Sequence, residues 1–178
     1  MGDIVAHDGA WSPDGRRVAY AKAGDIYLAK SDGSESRKLV STSSGDAGVW
    51  RVKWSPDGRR LRFNVFEGAK GRSRLWEVTA EGTNLHPLLP GWDWGPFQGL
   101  GDWTPDGKYY VFESGKGRDR SADIWAIRDN VSFFERANRE PVRLTVGAAA
   151  GRGRDVVRGQ PMFGHDLANF IDGVLATF

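Results

Sequence analysis

The chain of 178 residues contains no cysteine, which excludes disulfides, thiolate metal sites and cysteine nucleophiles. Histidine is scarce as well: His7, His86 and His165 are the only three, and no two stand at the close spacing usual for metal ligands. No apolar run approaches the ~18 residues needed to cross a bilayer. The opening stretch MGDIVAHDGA lacks the basic and apolar regions of a signal peptide. We therefore expect a soluble chain with no membrane span, cytoplasmic as written, or periplasmic if an export signal precedes it. An excess of charge is missing too. There are 25 basic and 23 acidic residues, for a net charge of +2, and the two signs are interspersed, so there is no nucleic-acid footprint. The densest basic window, Arg51 to Arg62 with Lys53, Arg59 and Arg60 between, reads as the solvated ends of two strands.

Catalytic spacings are absent. The sequence holds no Gly-x-Ser-x-Gly elbow, no His-Glu-x-x-His and no phosphate-binding loop of the Walker type. The stretches GKGRDR at Gly115 and GRGRDV at Gly151 lack the third glycine of a dinucleotide fingerprint, and they read as a hairpin loop and a linker. Asp14, Asp57 and Asp106 each stand in a Pro-Asp-Gly turn without the alternating oxygen ligands of a calcium loop. Capping of backbone N–H groups accounts for them. The chain is expected to be no enzyme, and to hold no metal and no cofactor.

Glycine (24) and tryptophan (8) are plentiful, a combination that favours short strands joined by turns. One ten-residue phrase occurs three times: WSPDGRRVAY at Trp11, WSPDGRRLRF at Trp54 and WTPDGKYYVF at Trp103. Periods of about 40–50 residues mark propeller blades or helical arrays, and the local pattern decides for blades. Each Pro-Asp-Gly is a turn, and each turn leads into a run rich in β-formers. A second such run follows in every repeat, DIYLAK, RLWEVT and DIWAIR, and then a short one, RKLV, HPLL and VRLT. With the residues before each tryptophan as a first strand, every unit has four antiparallel strands. The expected fold is all-β, a partial β-propeller over residues 1–147, with blades at about 1–43, 44–92 and 93–147. Trp11, Trp54 and Trp103 are expected to pack between blades, together with Tyr27, Trp76 and Trp125.

The phrases WSPDGRR, DIYLAKSDGSESRKL and LWEVTAEGTNLHPLLPGW resemble the TolB-like, WD-repeat-like β-propeller family of bacteria. The resemblance covers residues 1 to about 147 and is specific for fold rather than for function. Its members include periplasmic partner-binding proteins, propellers attached to peptidases, and propellers attached to winged-helix regulators, which the middle repeat resembles most. No winged-helix pattern is present, so DNA binding is not implied.

Propellers close with about 4–8 blades, and three are counted here. Residues 148–178 read as a Gly/Ala/Arg-rich linker followed by an amphipathic helix. Leu167, Phe170, Ile171, Val174, Leu175 and Phe178 form its apolar stripe, with Asp166 as N-cap. The open arc is expected to belong to a larger propeller, to be completed by a homodimer whose helices brace the junction, or to be capped by the tail. Exposed loop aromatics point to binding. Trp50 and Arg51 stand in GVWRVK, and Trp92 and Trp94 in PGWDWGPFQGLGDW; these residue types are enriched at interface hot spots, although filling the gap between blades competes for the same aromatics. The expected function is that of a non-catalytic interaction module contacting a protein, peptide or glycan through its loop faces. The alternatives are the propeller of a prolyl-oligopeptidase-like or tricorn-like peptidase, or the sensor part of a transcriptional regulator.

Overall fold

The computed structural model describes residues 6, 8–42, 47–92, 95–115, 122–129 and 140–145. The chain divides into two compact units, Met1–Trp92 and Asp93–Phe178. In the first unit, β1 (Asp8–Trp11), β2 (Arg17–Lys22), β3 (Asp25–Lys30) and β4 (Arg37–Ser41) form one antiparallel sheet in chain order. Strands β5 (Ala47–Trp54), β6 (Arg60–Glu67), β7 (Arg72–Thr79) and β8 (His86–Pro87) pair successively in the same way. In the second unit, β9 (Phe97–Trp103), β10 (Tyr109–Gly115), β11 (Asp123–Arg128) and β12 (Val142–Arg143) repeat the meander. The three expected four-stranded blades are therefore present. The predicted linker and amphipathic helix, 148–178, lie outside the described residues.

The repeated phrase folds identically three times, and its chemistry explains why. The side-chain hydroxyl of the residue after each tryptophan is the hub. Ser12 Oγ donates to Asp14 Oδ1 at 2.6 Å and accepts the Arg17 N–H at 2.9 Å. Ser55 does the same with Asp57 and Arg60, and Thr104 with Asp106 and Tyr109. Each aspartate also accepts the N–H two residues on, from Arg16, Arg59 and Lys108. The turn glycines Gly15, Gly58 and Gly107 adopt φ between 67° and 70°, a region open to glycine at little steric cost. The same turn is then tied to the far end of the third strand: Ser31, Ala80 and Asp129 donate their N–H groups to the carbonyls of Arg16, Arg59 and Lys108.

Strand alternation gives each blade a face carrying the repeat tryptophan and a reverse face. Between the first two blades the two kinds of face meet. Ala19, Ala21, Ile26 and Leu28, on the reverse face of the first, share one buried core with Trp54, Leu61, Phe63 and Val78 of the second. Trp54 is the joint: its indole Nε1 donates to the Ala10 carbonyl at 3.0 Å, and the Arg17 guanidinium lies 4.8 Å from its ring centroid. Trp103 is also buried, but its indole is held by Asp129 Oδ2 at 2.7 Å and meets Tyr110 edge-on at 4.8 Å. Trp125 is buried, while Tyr27 and Trp76 are half-buried.

Trp11 corrects the expectation. It is 60% exposed, because an inter-blade tryptophan packs on the reverse face of the blade before it, and no described strand precedes β1. The basic window needs a second correction. Arg51 and Arg59 are solvated, but Arg62 is completely buried, since alternation along β6 turns it onto the reverse face, opposite Glu77.

Two outcomes follow from this architecture. Trp54→Ala should destabilise the chain by about 3–5 kcal/mol through cavity formation, whereas Trp54→Phe, which keeps a smaller aromatic ring and loses the hydrogen bond, should lose less, about 1–3 kcal/mol; urea titration separates them. The second concerns acid. The Ser12 hydroxyl, then the Arg16 amide, hold Asp14 below the ordinary aspartate value of 3.8. At Asp57 and Asp106 partial burial pushes upward, but the hydroxyls of Ser55 and Thr104 and the following amides outweigh it and lower both. Carboxyls depressed on folding contribute stability that is present above 3.8 and lost as pH falls through the folded value. Calorimetry at a series of pH values should show the thermal midpoint falling in acid, and Asp14→Asn/Asp57→Asn/Asp106→Asn should start lower and fall less steeply.

Candidate functional site

The innermost strand of the second blade is interrupted by a β-bulge. Trp50 stands opposite Asn64 and Lys53 opposite Arg62, so Arg51 and Val52 together face Phe63 alone. Arg51 occupies the left-handed region with φ 55°, an arrangement in which glycine is the usual choice. The third blade repeats the bulge at the same place. Leu100, three residues before Trp103 as Arg51 is three before Trp54, has φ 51°, and it lies with Gly101 opposite Phe112. Neither arginine nor leucine gains conformational freedom there, and each pays roughly 1–2 kcal/mol for the left-handed backbone. The bulge is held from below by packing. Val52 is buried in the shared core, and a Cβ on Gly101 would come within 2.2 Å of the Tyr110 hydroxyl.

Bulges re-aim side chains, and here they turn Arg51 and Leu100 outward, where both are exposed. The Arg51 backbone N–H donates to a carboxylate oxygen of Asp8 from the first blade. That bond occupies the main chain, and the Arg51 side chain is solvent-exposed. Trp50, beside it, is 36% exposed. The two expected residues Trp50 and Arg51 are thus sequence neighbours on β5, both exposed. Trp92 lies elsewhere, half-buried in the turn after β8, where its N–H reaches the Leu89 carbonyl at 3.4 Å. Trp94 lies outside the described residues.

A second polar constellation was not expected. On the reverse face of the second blade, Arg62 Nε and Nη2 both donate to Glu77 Oε2 at 2.7 Å. Arg60 approaches the same oxygen at 3.4 Å, and His86 Nε2 stands 4.0 Å from Glu77 Oε1. Below it, Asn64 Nδ2 donates to Ser73 Oγ at 3.1 Å. The alternation RLRFNV on β6 placed these residues on one face, but nothing in the string says that face is buried. Buried charges demand a partner, and Glu77 supplies it. Among the described residues no group of three or more His, Asp or Glu side chains is placed to hold a metal ion, and no helix is long and apolar enough to cross a membrane.

Four-stranded antiparallel sheets repeated with the same turn, the first two joined face to face around a buried tryptophan, define a β-propeller. Its fold is that of the TolB-like, WD-repeat-like propellers. A protein assigned as TolB from Agrobacterium tumefaciens superposes with a TM-score of 0.59 at 20% identity, over 79% of this chain and 46% of that one. TolB from Acinetobacter baumannii gives 0.56 at 23% identity, over 78% and 32%, and a chain of the nidogen/laminin complex 0.54 at 13%, over 79% and 49%. The chain thus spans less than half the length of the two TolB chains it matches. No family model and no curated protein matches the sequence.

The bulges make a prediction of their own. Arg51→Gly and Leu100→Gly each relieve a left-handed non-glycine residue and should raise stability by about 0.5–1 kcal/mol, after the entropy glycine adds to the unfolded chain. Arg51→Val should lower stability, because a β-branched side chain fits positive φ poorly. Urea midpoints for the three variants check the order.

Proposed function

We propose that the chain is a non-catalytic binding module that takes a segment of a protein or peptide on the bulge of its second blade, through Trp50 and Arg51. One observation carries this reading. An arginine is held at positive φ, next to an exposed tryptophan, at a bulge where glycine would be the relaxed choice. Strain of this kind persists only where the surrounding structure holds it and tends to gather at functional positions. Tryptophan supplies a large flat contact, and arginine supplies forked donors for a carboxylate or main-chain carbonyls. A fold neighbour solved as the nidogen/laminin complex is consistent with a protein partner.

The test is selection from a random peptide display library on the immobilised chain. Enriched peptides are expected to bind the wild type and to lose about 2 kcal/mol, near 30-fold in affinity, on Trp50→Ala. Arg51→Gly should weaken them as well while leaving the fold at least as stable. Because Trp50 is a partly exposed surface residue, its variant should keep its unfolding midpoint within about 0.5 kcal/mol. Peptides that bind both variants as well as the wild type would move the site elsewhere. Loss of the fold in Trp50→Ala would make Trp50 a structural residue.

A further inference from the structure

We propose that the second blade carries a slot for one apolar side chain of the bound protein segment, formed above Gly48 between Trp50 and Phe66, with an acidic neighbour of that side chain placed at Arg51. The inference rests on the binding function proposed above and names what the site selects. Strand register sets the slot. Val49 and Val65 pair across β5 and β6, and both lie in the core shared with the first blade. Alternation therefore turns the residues on either side of them to the reverse face: Gly48, opposite Phe66, and Trp50, opposite Asn64. Trp50 and Phe66 are thus diagonal neighbours on one face, a separation that aromatic side chains span, and they are 36% and 42% exposed. Gly48 is exposed as well. Among the described residues, a Cβ placed on Gly48 meets only the Cβ of Phe66, at 4.0 Å. No ring atom of Trp50 or Phe66 comes within 4 Å of it, so the space above the glycine is open and its two flanks are aromatic.

The repeat shows that a blade does not require these side chains. The residues that build the hairpin recur in all three phrases, the tryptophan and the Pro-Asp-Gly turn among them. Trp50 and Phe66 do not recur. At the same offsets from its repeat tryptophan, the third blade carries Gly99 and Gly115. Nor does Phe66 cover a strand glycine, as cross-strand aromatics do in sheets, because its ring leaves Gly48 open. Two adjacent aromatic side chains kept in water, at a register where glycine also serves, mark a contact surface. The charge around the slot selects the kind of partner. Glu67, next to Phe66, is turned to the opposite face by alternation and is paired with Lys70 at 3.1 Å, and the Asp8 carboxylate accepts the Arg51 N–H. The Arg51 side chain is exposed and offers forked donors for a carboxylate. The ligand that fits is therefore a segment in which the apolar residue entering the slot stands beside an aspartate or glutamate.

The experiment uses the full chain, with the peptides selected by display as probes. They are expected to share one apolar residue next to an acidic one. Gly48→Val fills the slot with a side chain that meets open space and suits a strand. It should keep or raise the thermal midpoint while weakening these peptides about ten-fold, and Phe66→Ala should weaken them by about the same factor. Alanine in place of the peptide's apolar residue should cost a similar factor on the wild type and little on the Gly48→Val chain, the coupling expected of groups in contact. Gly48→Val and Phe66→Ala chains that bind every peptide as tightly as the wild type, with Trp50→Ala still weakened, would overturn the slot and leave the proposed function standing. If Trp50→Ala binds as tightly too, both readings fall. Enriched peptides with no shared apolar position would overturn the slot. So would a failure of all peptides together with oligosaccharide binding that needs Trp50 and Phe66, since that result places a sugar on the aromatic pair.

Discussion

The constraint on which the first unit depends is that the apolar reverse face of one four-stranded sheet must be covered by the tryptophan face of the next. An antiparallel sheet can leave one face to water, but the first blade buries its reverse face against the tryptophan face of the second. In the first unit the constraint is met at Trp54. Its ring lies in a core contributed by two sheets, its indole N–H is satisfied by the Ala10 carbonyl, and the Arg17 guanidinium closes over it. Large area, one satisfied donor and one cation–π contact make a single residue do what a layer of helices does in other folds. The Pro-Asp-Gly turn serves this joint. By fixing the hairpin and tying the third strand to it through Ser31 and Ala80, it sets the register that places Trp54 opposite its slot.

Fixing the register so firmly allows the inner strand to be irregular. The bulges at Arg51 and Leu100 sit at the same offset in two blades, each opposite a buried phenylalanine. A bulge displaces side chains without disturbing the hairpin beyond it, so the residue at its crest is free to vary. In one blade it is a cation and in the next an aliphatic. Structural demand and functional freedom are therefore separated by only three positions along the strand, the tryptophan inward and the crest residue outward. The buried pair of Arg62 and Glu77 illustrates the same freedom on the reverse face, where the blades differ most in chemistry.

Much of this architecture was legible in the string. The turn chemistry, the number and order of strands and the capping role of Asp14, Asp57 and Asp106 follow from residue types that act over a few positions. Trp50 and Arg51 were legible as candidates because an aromatic and a cationic residue stood together in the stretch leading into a strand. The bulge beneath them was not, since a bulge filled by arginine or leucine leaves no glycine to mark it, and only the alignment of one blade on another reveals it.

By itself, then, the amino-acid sequence determined the repeat, the hairpins and the alternation of faces, all properties of local dihedral preference and period-two geometry. Which faces are buried was decided by tertiary structure alone. Trp11, Trp54 and Trp103 stand in nearly identical phrases, yet one is exposed, one is hydrogen-bonded to the neighbouring blade and one to an aspartate of its own blade. The same holds for Arg62, which reads like any charged strand residue until Glu77 is brought against it from the next strand. Burial is a property of what packs opposite, and the residues opposite lie too far along the chain for any local pattern to name them.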